Sequence, residues 1–166
     1  AHQRELLGEL VEAAPQIFSE GLTHASTQSE LDRALARVDP QRPPAVLPFL
    51  LSLVELSPTA EHLAWAENLF AKTSDDAVRL SVLERLFSLS PERLGALLTE
   101  RLRVLADSPA EAKFVSDVAS LRLPRFAGAY VAERFFTVSN RTSQEWLPWL
   151  RLVSTWKLSD PKEGAA

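Results

Sequence analysis

The amino-acid sequence predicts an all-α fold of stacked antiparallel helix pairs, an α-solenoid of about eight or nine helices. A helix-start signal recurs every 16 to 18 residues from residue 57 onward. Each signal is a capping residue, a proline at the first helical position, or both. The interval fits one helix and a short turn, so two intervals match one solenoid repeat. The signals stand at Ser57-Pro58, Ser74-Asp75, Ser90-Pro91, Ser108-Pro109, Pro124 and Thr142.

Features typical of β structure are missing from the sequence. No alternating run of apolar and polar residues is long enough for a strand, and no Asn-Gly or Asp-Gly pair marks a hairpin. The chain has only five glycines, which favours short loops.

The N-terminal region is predicted to hold two helices with a shorter helical segment between them. Residues 4–14 form an amphipathic pattern that Pro15 ends, and a shorter helix is expected around residues 17–22. Thr27 and Glu30 then stand in capping-box spacing ahead of the next helix. The inward stripe of that helix is Leu31, Ala34, Leu35 and Val38.

A proline-rich stretch at residues 39–44 cannot be helical and marks the clearest loop. Seven helices are predicted beyond it, each with apolar residues at helical spacing. Their predicted bounds are residues 44–56, 58–72, 75–89, 91–106, 109–122, 124–138 and 142–157. The inward residues of two of them are expected to be Val78, Val82, Leu83, Leu86 and Leu89, and Trp146, Trp149, Leu150 and Val153.

Composition predicts one helical-repeat domain over residues 1–158, followed by a polar tail or linker at residues 159–166. The chain has no methionine, even at position 1, so we expect either a processed product or a piece of a larger protein, and the polar C-terminal stretch favours the piece. Fourteen arginines against four lysines favour a bacterial source. No apolar run approaches the ~20 residues of a membrane span, and no secretory signal is present, so we expect a cytoplasmic protein.

Charge is distributed unevenly along the chain. Residues 1–83 carry 6 basic and 12 acidic side chains, whereas residues 84–166 carry 12 and 10. Neither half has the basic surplus that nucleic-acid binders usually show. The acidic half is either a set of solvated helix faces or a surface that attracts a basic partner.

The sequence nominates no catalytic, cofactor or metal site. The absence of cysteine excludes disulfides, thiol nucleophiles and thiolate metal sites. His2, His24 and His62 are scattered and lie in no metal-binding spacing. Glycine-rich phosphate loops and the GxSxG nucleophile motif are absent, so a non-enzymatic protein is expected.

Short segments carry a resemblance to a known family. Residues 74–79 (SDDAVR), followed by Leu83 and Leu86, resemble the start of the second helix of a HEAT repeat. In that helix an aspartate caps the N-terminus, a Val-Arg pair follows it, and leucines face the first helix of the repeat. Residues 46–51 (VLPFLL) and 146–150 (WLPWL) resemble the proline-bent first helix. The resemblance covers about a third of the chain and implies helix pairs that stack as a solenoid.

Aromatic residues concentrate near the C-terminus, where eight of the 13 follow residue 110. A terminal helix that docks on its neighbours would bury them. Alternatively, because a terminal repeat normally has a polar outer face, surplus indoles mark a contact surface. On that reading at least one indole of the last helix is partly exposed. The candidate partner-binding residues are Arg134, Trp146, Trp149, Arg151 and Trp156.

These observations favour a scaffold or adaptor domain that binds another protein without catalysis. One alternative is a self-association module in which the aromatic end meets itself. Another is a HEAT-like nucleic-acid binder or DNA-repair glycosylase, which would need a basic groove and is opposed by the net charge of −4.

Overall fold

The structure, a computed structural model, describes residues 25–121, 123, 128–137 and 142–158. This part of the chain contains eight α-helices, a 3-10 turn and no strand, which confirms the all-α prediction and its helix count. The helices are α1 (Ala25–Ala36), α2 (Leu47–Leu56), α3 (Ala60–Lys72), α4 (Asp76–Leu86), α5 (Pro91–Leu105), α6 (Glu111–Ser120), α7 (Gly128–Thr137) and α8 (Ser143–Thr155), with the 3-10 turn at Phe87–Leu89. The helices predicted over residues 4–14 and 17–22, and the predicted tail at 159–166, lie outside the described residues.

Helix starts keep a nearly regular interval. From α3 onward the helices begin 15 to 20 residues apart, close to the predicted spacing but with more scatter. A solenoid arrangement of HEAT-like repeats stays a prediction. Among the described helices, none combines the length and the apolar character that crossing a bilayer requires.

The chain divides into two compact units, residues 1–89 and residues 90–166. In the described part of the first unit, α4 packs against both α2 and α3, and α1 packs against α2. In the second unit, α8 packs against both α6 and α7, and α6 also contacts α5. The single repeat domain expected over residues 1–158 stays a prediction.

Apolar stripes read from the sequence form the core of each unit. The stripe of α1 is buried as predicted, and the stripe of α4 is buried except at its end, where Leu89 is exposed. The physical reason is local: the last turn of this segment tightens into the 3-10 turn at Phe87–Leu89, which buries Phe87 instead. The buried stripe residues of these two helices are Leu31, Ala34, Leu35 and Val38, and Val78, Val82, Leu83 and Leu86.

Two predicted caps fall one or two residues away from the observed ones. The cap of α3 is Thr59 rather than Ser57, and its hydroxyl accepts a 3.1 Å hydrogen bond from the backbone N–H of His62. The cap of α4 is Asp75 rather than Ser74, and its carboxylate accepts from the backbone N–H two residues later at 2.8 Å. Asp75 is therefore the residue that caps α4.

Of the other two serines predicted as caps, Ser90 holds its predicted position and Ser108 does not. Ser90 occupies the N-cap position of α5, but its side chain makes no capping hydrogen bond. The N-cap of α6 is Ala110, because residues 108–110 form a turn in which the N–H of Glu111 donates to the carbonyl oxygen of Ser108. The register of the helices survives these errors because prolines and polar residues still interrupt the apolar pattern at each junction.

Candidate contact surface

Helix α8 supplies the core of the second unit. It packs against both α6 and α7, and two of the three indoles in and directly after it are buried. Trp149 is 0% exposed, and Trp156 is buried with its indole N–H donating to the carbonyl oxygen of Leu123 at 2.8 Å. Both are therefore structural residues of this unit, and a role for Trp149 and Trp156 in binding a partner stays a prediction.

The outer face of α8 is apolar where solvent would favour polar groups. Leu147 is 55% exposed and Leu150 is 51% exposed. The prediction that Leu150 faces inward is wrong, because the buried arc is centred on Trp149 and lies on the other side of the helix. At about 100° per residue, Leu150 lies 60° to one side of Leu147 and Arg151 lies 40° to the other. Arg151 is exposed at the edge of this apolar face.

Aromatic rings from α7 continue the same surface. Trp146 is half-buried, which confirms the prediction that at least one indole is partly exposed. Its ring meets the Phe135 ring edge-on, with centroids 4.7 Å apart, and Phe135 meets Phe136 edge-on at 5.0 Å. Phe136 is 39% exposed. Edge-to-face pairs at these distances are favourable, so the three rings are fixed by one another.

We call this surface the aromatic–leucine ridge; it consists of Phe135, Phe136, Trp146, Leu147 and Leu150. Scattered exposed apolar residues are ordinary, but neighbouring ones of this size are typical of interaction sites. Sequence analysis named Trp146 but not the rest of the ridge, because periodicity assigned Leu150 to the inward stripe of α8. The signal that could have found it is the apolar circumference of α8, which exceeds what one packed face uses.

Arg134 is engaged inside its own unit and is not part of the ridge. Its Nη2 donates to a carboxylate oxygen of Asp107 at 2.7 Å, and its Nε donates to Glu111 at 3.2 Å. Burial acts to lower the pKa of Arg134, but hydrogen bonds to Asp107 and Glu111 outweigh it and raise that pKa above its ordinary value. Asp107, at a left-handed φ of 63°, also donates its backbone N–H to Glu111 at 3.0 Å. Arg134 therefore joins the turn before α6 to α7, and its role in partner binding stays a prediction.

His62 is one of the buried polar residues of the first unit. Its Nε2 lies 2.7 Å from a carboxylate oxygen of Asp32, and its Nδ1 lies 3.1 Å from the carbonyl oxygen of Ser57. The Ser57 hydroxyl accepts a hydrogen bond from Gln28 at 2.7 Å instead of facing the imidazole. These residues therefore do not form the nucleophile–base pair of a hydrolytic site. They join α1 to the start of α3.

Within the described residues, no group of three or more histidine, aspartate and glutamate side chains is placed to hold a metal ion. Comparison with known proteins finds no matching family model, no matching curated protein and no matching solved structure.

Proposed function

We propose that the chain is a non-enzymatic protein–protein interaction domain, a scaffold or adaptor, whose contact surface is the aromatic–leucine ridge. The observation that carries the proposal is the exposure of Leu147 and Leu150 beside the half-buried ring of Trp146. Burying such a surface against another protein removes apolar area from water, which is the main favourable term in protein association.

The composition of the ridge supports the same proposal. Tryptophan and arginine are enriched among the residues that dominate binding energy at interfaces, and leucines around them exclude water. Trp146 and Arg151 lie at this surface, and Arg151 keeps its predicted partner-binding role. The helices beneath the ridge are packed, so the surface is held in place before a partner arrives, which lowers the entropy lost on binding.

Affinity capture from the source cells tests this function with two matched variants. Leu150→Asp places a charge in the middle of the ridge. Leu56→Asp makes the same change at a leucine that is 68% exposed in the other unit. We expect Leu150→Asp to lose the captured protein and Leu56→Asp to retain it. Equal capture by both variants would contradict the proposal.

The nucleic-acid alternative stays a prediction with a separate test. A gel shift whose affinity falls steeply with salt would support it, because neutralised phosphates release counterions. The net charge of −4 favours the protein partner.

A further inference from the structure

Two exposed charges of opposite sign lie at the aromatic–leucine ridge. Glu133 is exposed on α7, and Arg151 is exposed on α8. Within the described part of the chain, neither side chain belongs to an ion pair; the nearby pairs join Arg134 to Asp107 and Glu111. Both charges are therefore available to a molecule seated on the ridge.

Helix geometry places these charges on opposite flanks. On α7, Glu133 lies one turn before Phe136 on the same side of the helix. On α8, Trp146 contacts α7, since its ring meets Phe135. At about 100° per residue, Trp146 and Leu150 lie to one side of Leu147, whereas Arg151 lies to the other.

These positions give the order of groups across the surface from α7 to α8. The acidic edge is Glu133 on α7, the apolar rings and leucines lie in the middle, and the basic edge is Arg151 on α8. Lys157, the exposed cation that follows α8, comes seven residues after Leu150 and is outside this cross-section. An apolar strip with opposite charges on its two edges is complementary to itself, because a two-fold axis along the strip sets each acidic edge against a basic one.

We propose that the occupant of the ridge is a second copy of this chain, placed so that Glu133 of each copy faces Arg151 of the other. The inference rests on the proposed function, since it names the protein partner of the same surface. The apolar strips supply the attraction, whereas the two charge pairs at the rim fix the register and disfavour partners of the wrong charge pattern. A surface of five ridge residues is small for a stable interface, so the dimer is weak and forms reversibly.

Sedimentation velocity of the purified chain, from micromolar to millimolar concentration, tests the dimer. We expect a monomer at the low end and a reversible dimer at the high end. Leu150→Asp is expected to abolish the dimer, and Leu56→Asp, the matched change outside the ridge, to leave its dissociation constant within about twofold.

Charge exchange tests the register. Arg151→Glu and Glu133→Arg each set like charges against each other and are expected to raise the dissociation constant about tenfold. The double variant restores opposite charges and is expected to return it to within about threefold of the unmodified chain. Both residues are exposed, so thermal unfolding should confirm that each variant folds.

Each outcome decides the proposal. A chain that stays monomeric at every concentration would overturn it, as would a dimer that ignores Leu150→Asp or a double variant as weak as the single ones. Failure of this kind is distinguishable from failure of the proposed function, because a monomer that still captures a different protein through Leu150 keeps the ridge as a contact surface.

Discussion

The Nε atom of Arg79, in α4, lies 3.1 Å from the carbonyl oxygen of Phe70, in the last turn of α3. The same guanidinium donates to the carbonyl oxygen of Thr73 and, at 2.7 Å, to a carboxylate oxygen of Asp76. Arg79 is buried, because at about 100° per residue it lies within the same arc of α4 as Leu83 and Leu86. It closes the C-terminus of α3, where carbonyl groups lack helical partners.

Replacing Arg79 should therefore destabilise the chain. We expect Arg79→Ala to lower the free energy of unfolding by about 3 kcal/mol, because buried carbonyl groups lose a charged donor. Arg79→Lys should recover only part of this, since an ammonium group cannot reproduce the planar fork.

Arg85 provides the control on the same helix. Its pair with Glu55 spans 3.4 Å with both side chains substantially exposed, so Arg85→Ala should change stability by less than about 1 kcal/mol. Urea unfolding of the three variants measures the difference, and equal losses for Arg79→Ala and Arg85→Ala would contradict the assigned role.

The inward stripe of α4 makes a second prediction. Leu83 and Leu86 are fully buried, so Leu83→Ala and Leu86→Ala should each destabilise by about 2–5 kcal/mol, the range for large-to-small changes in a packed core. Leu56→Ala, at an exposed leucine, should stay within about 0.5 kcal/mol. Thermal or denaturant unfolding distinguishes these cases, and a loss below about 0.5 kcal/mol at both buried positions would show that the stripe is misassigned.

The observed caps make a third prediction. Thr59→Ala and Asp75→Ala each remove an oxygen that accepts a backbone N–H, and each should lower the free energy of unfolding by about 0.5–2 kcal/mol. Ser74→Ala, at the neighbouring exposed serine, should have a smaller effect than Asp75→Ala. If the serine variant proved the more destabilising of the two, the cap of α4 would be misplaced.

The ion-pair cluster at Arg134 makes a fourth prediction. Arg134→Ala leaves the buried carboxylate of Glu111 without its cation and should cost about 2 kcal/mol of stability. Asp107→Asn removes only an exposed charge while keeping a residue that tolerates positive φ, so it should cost less than about 1 kcal/mol.

The stabilisation by Arg134 also predicts how the stability difference between the unmodified chain and Arg134→Ala depends on pH. Because the pKa of Arg134 is raised in the folded chain, its charge stabilises the fold in full at any pH below the ordinary pKa of arginine. That stabilisation is lost only as the pH rises through the pKa that Arg134 has in the folded chain. The stability gap between the unmodified chain and Arg134→Ala should therefore be the same at about pH 7 and about pH 9, which urea unfolding at both values checks. A gap that closes by pH 9 would contradict the direction of the shift.

Helix positions were largely predictable because they depend on local signals. Proline and polar residues interrupt the apolar period near every junction, so the predicted helix over residues 91–106 differs from α5 by one residue. Caps were less predictable. Ser57 and Thr59 both carry a hydroxyl beside Pro58, and the sequence does not say which oxygen meets the free N–H groups of α3.

The contact surface was only partly predictable because it depends on tertiary packing. The three indoles at positions 146, 149 and 156 span an arc too wide for one stripe, and the sequence does not reveal that the fold buries Trp149 and Trp156. It also does not reveal that Arg134 donates hydrogen bonds to the carboxylates of Asp107 and Glu111. The sequence predicted an excess of apolar surface in this unit. That the exposed part lies at Leu147 and Leu150 could be seen only in the structure.

Site-specific cross-linking tests the central claim, that the aromatic–leucine ridge is a protein contact surface, most directly. The chain contains no cysteine, so Leu150→Cys and Leu56→Cys each introduce a single attachment point for a photoreactive maleimide. After irradiation in an extract of the source cells, with added purified chain, we predict a discrete cross-linked protein from position 150 and none from position 56. No adduct from position 150, or the same adducts from both positions, would contradict the claim.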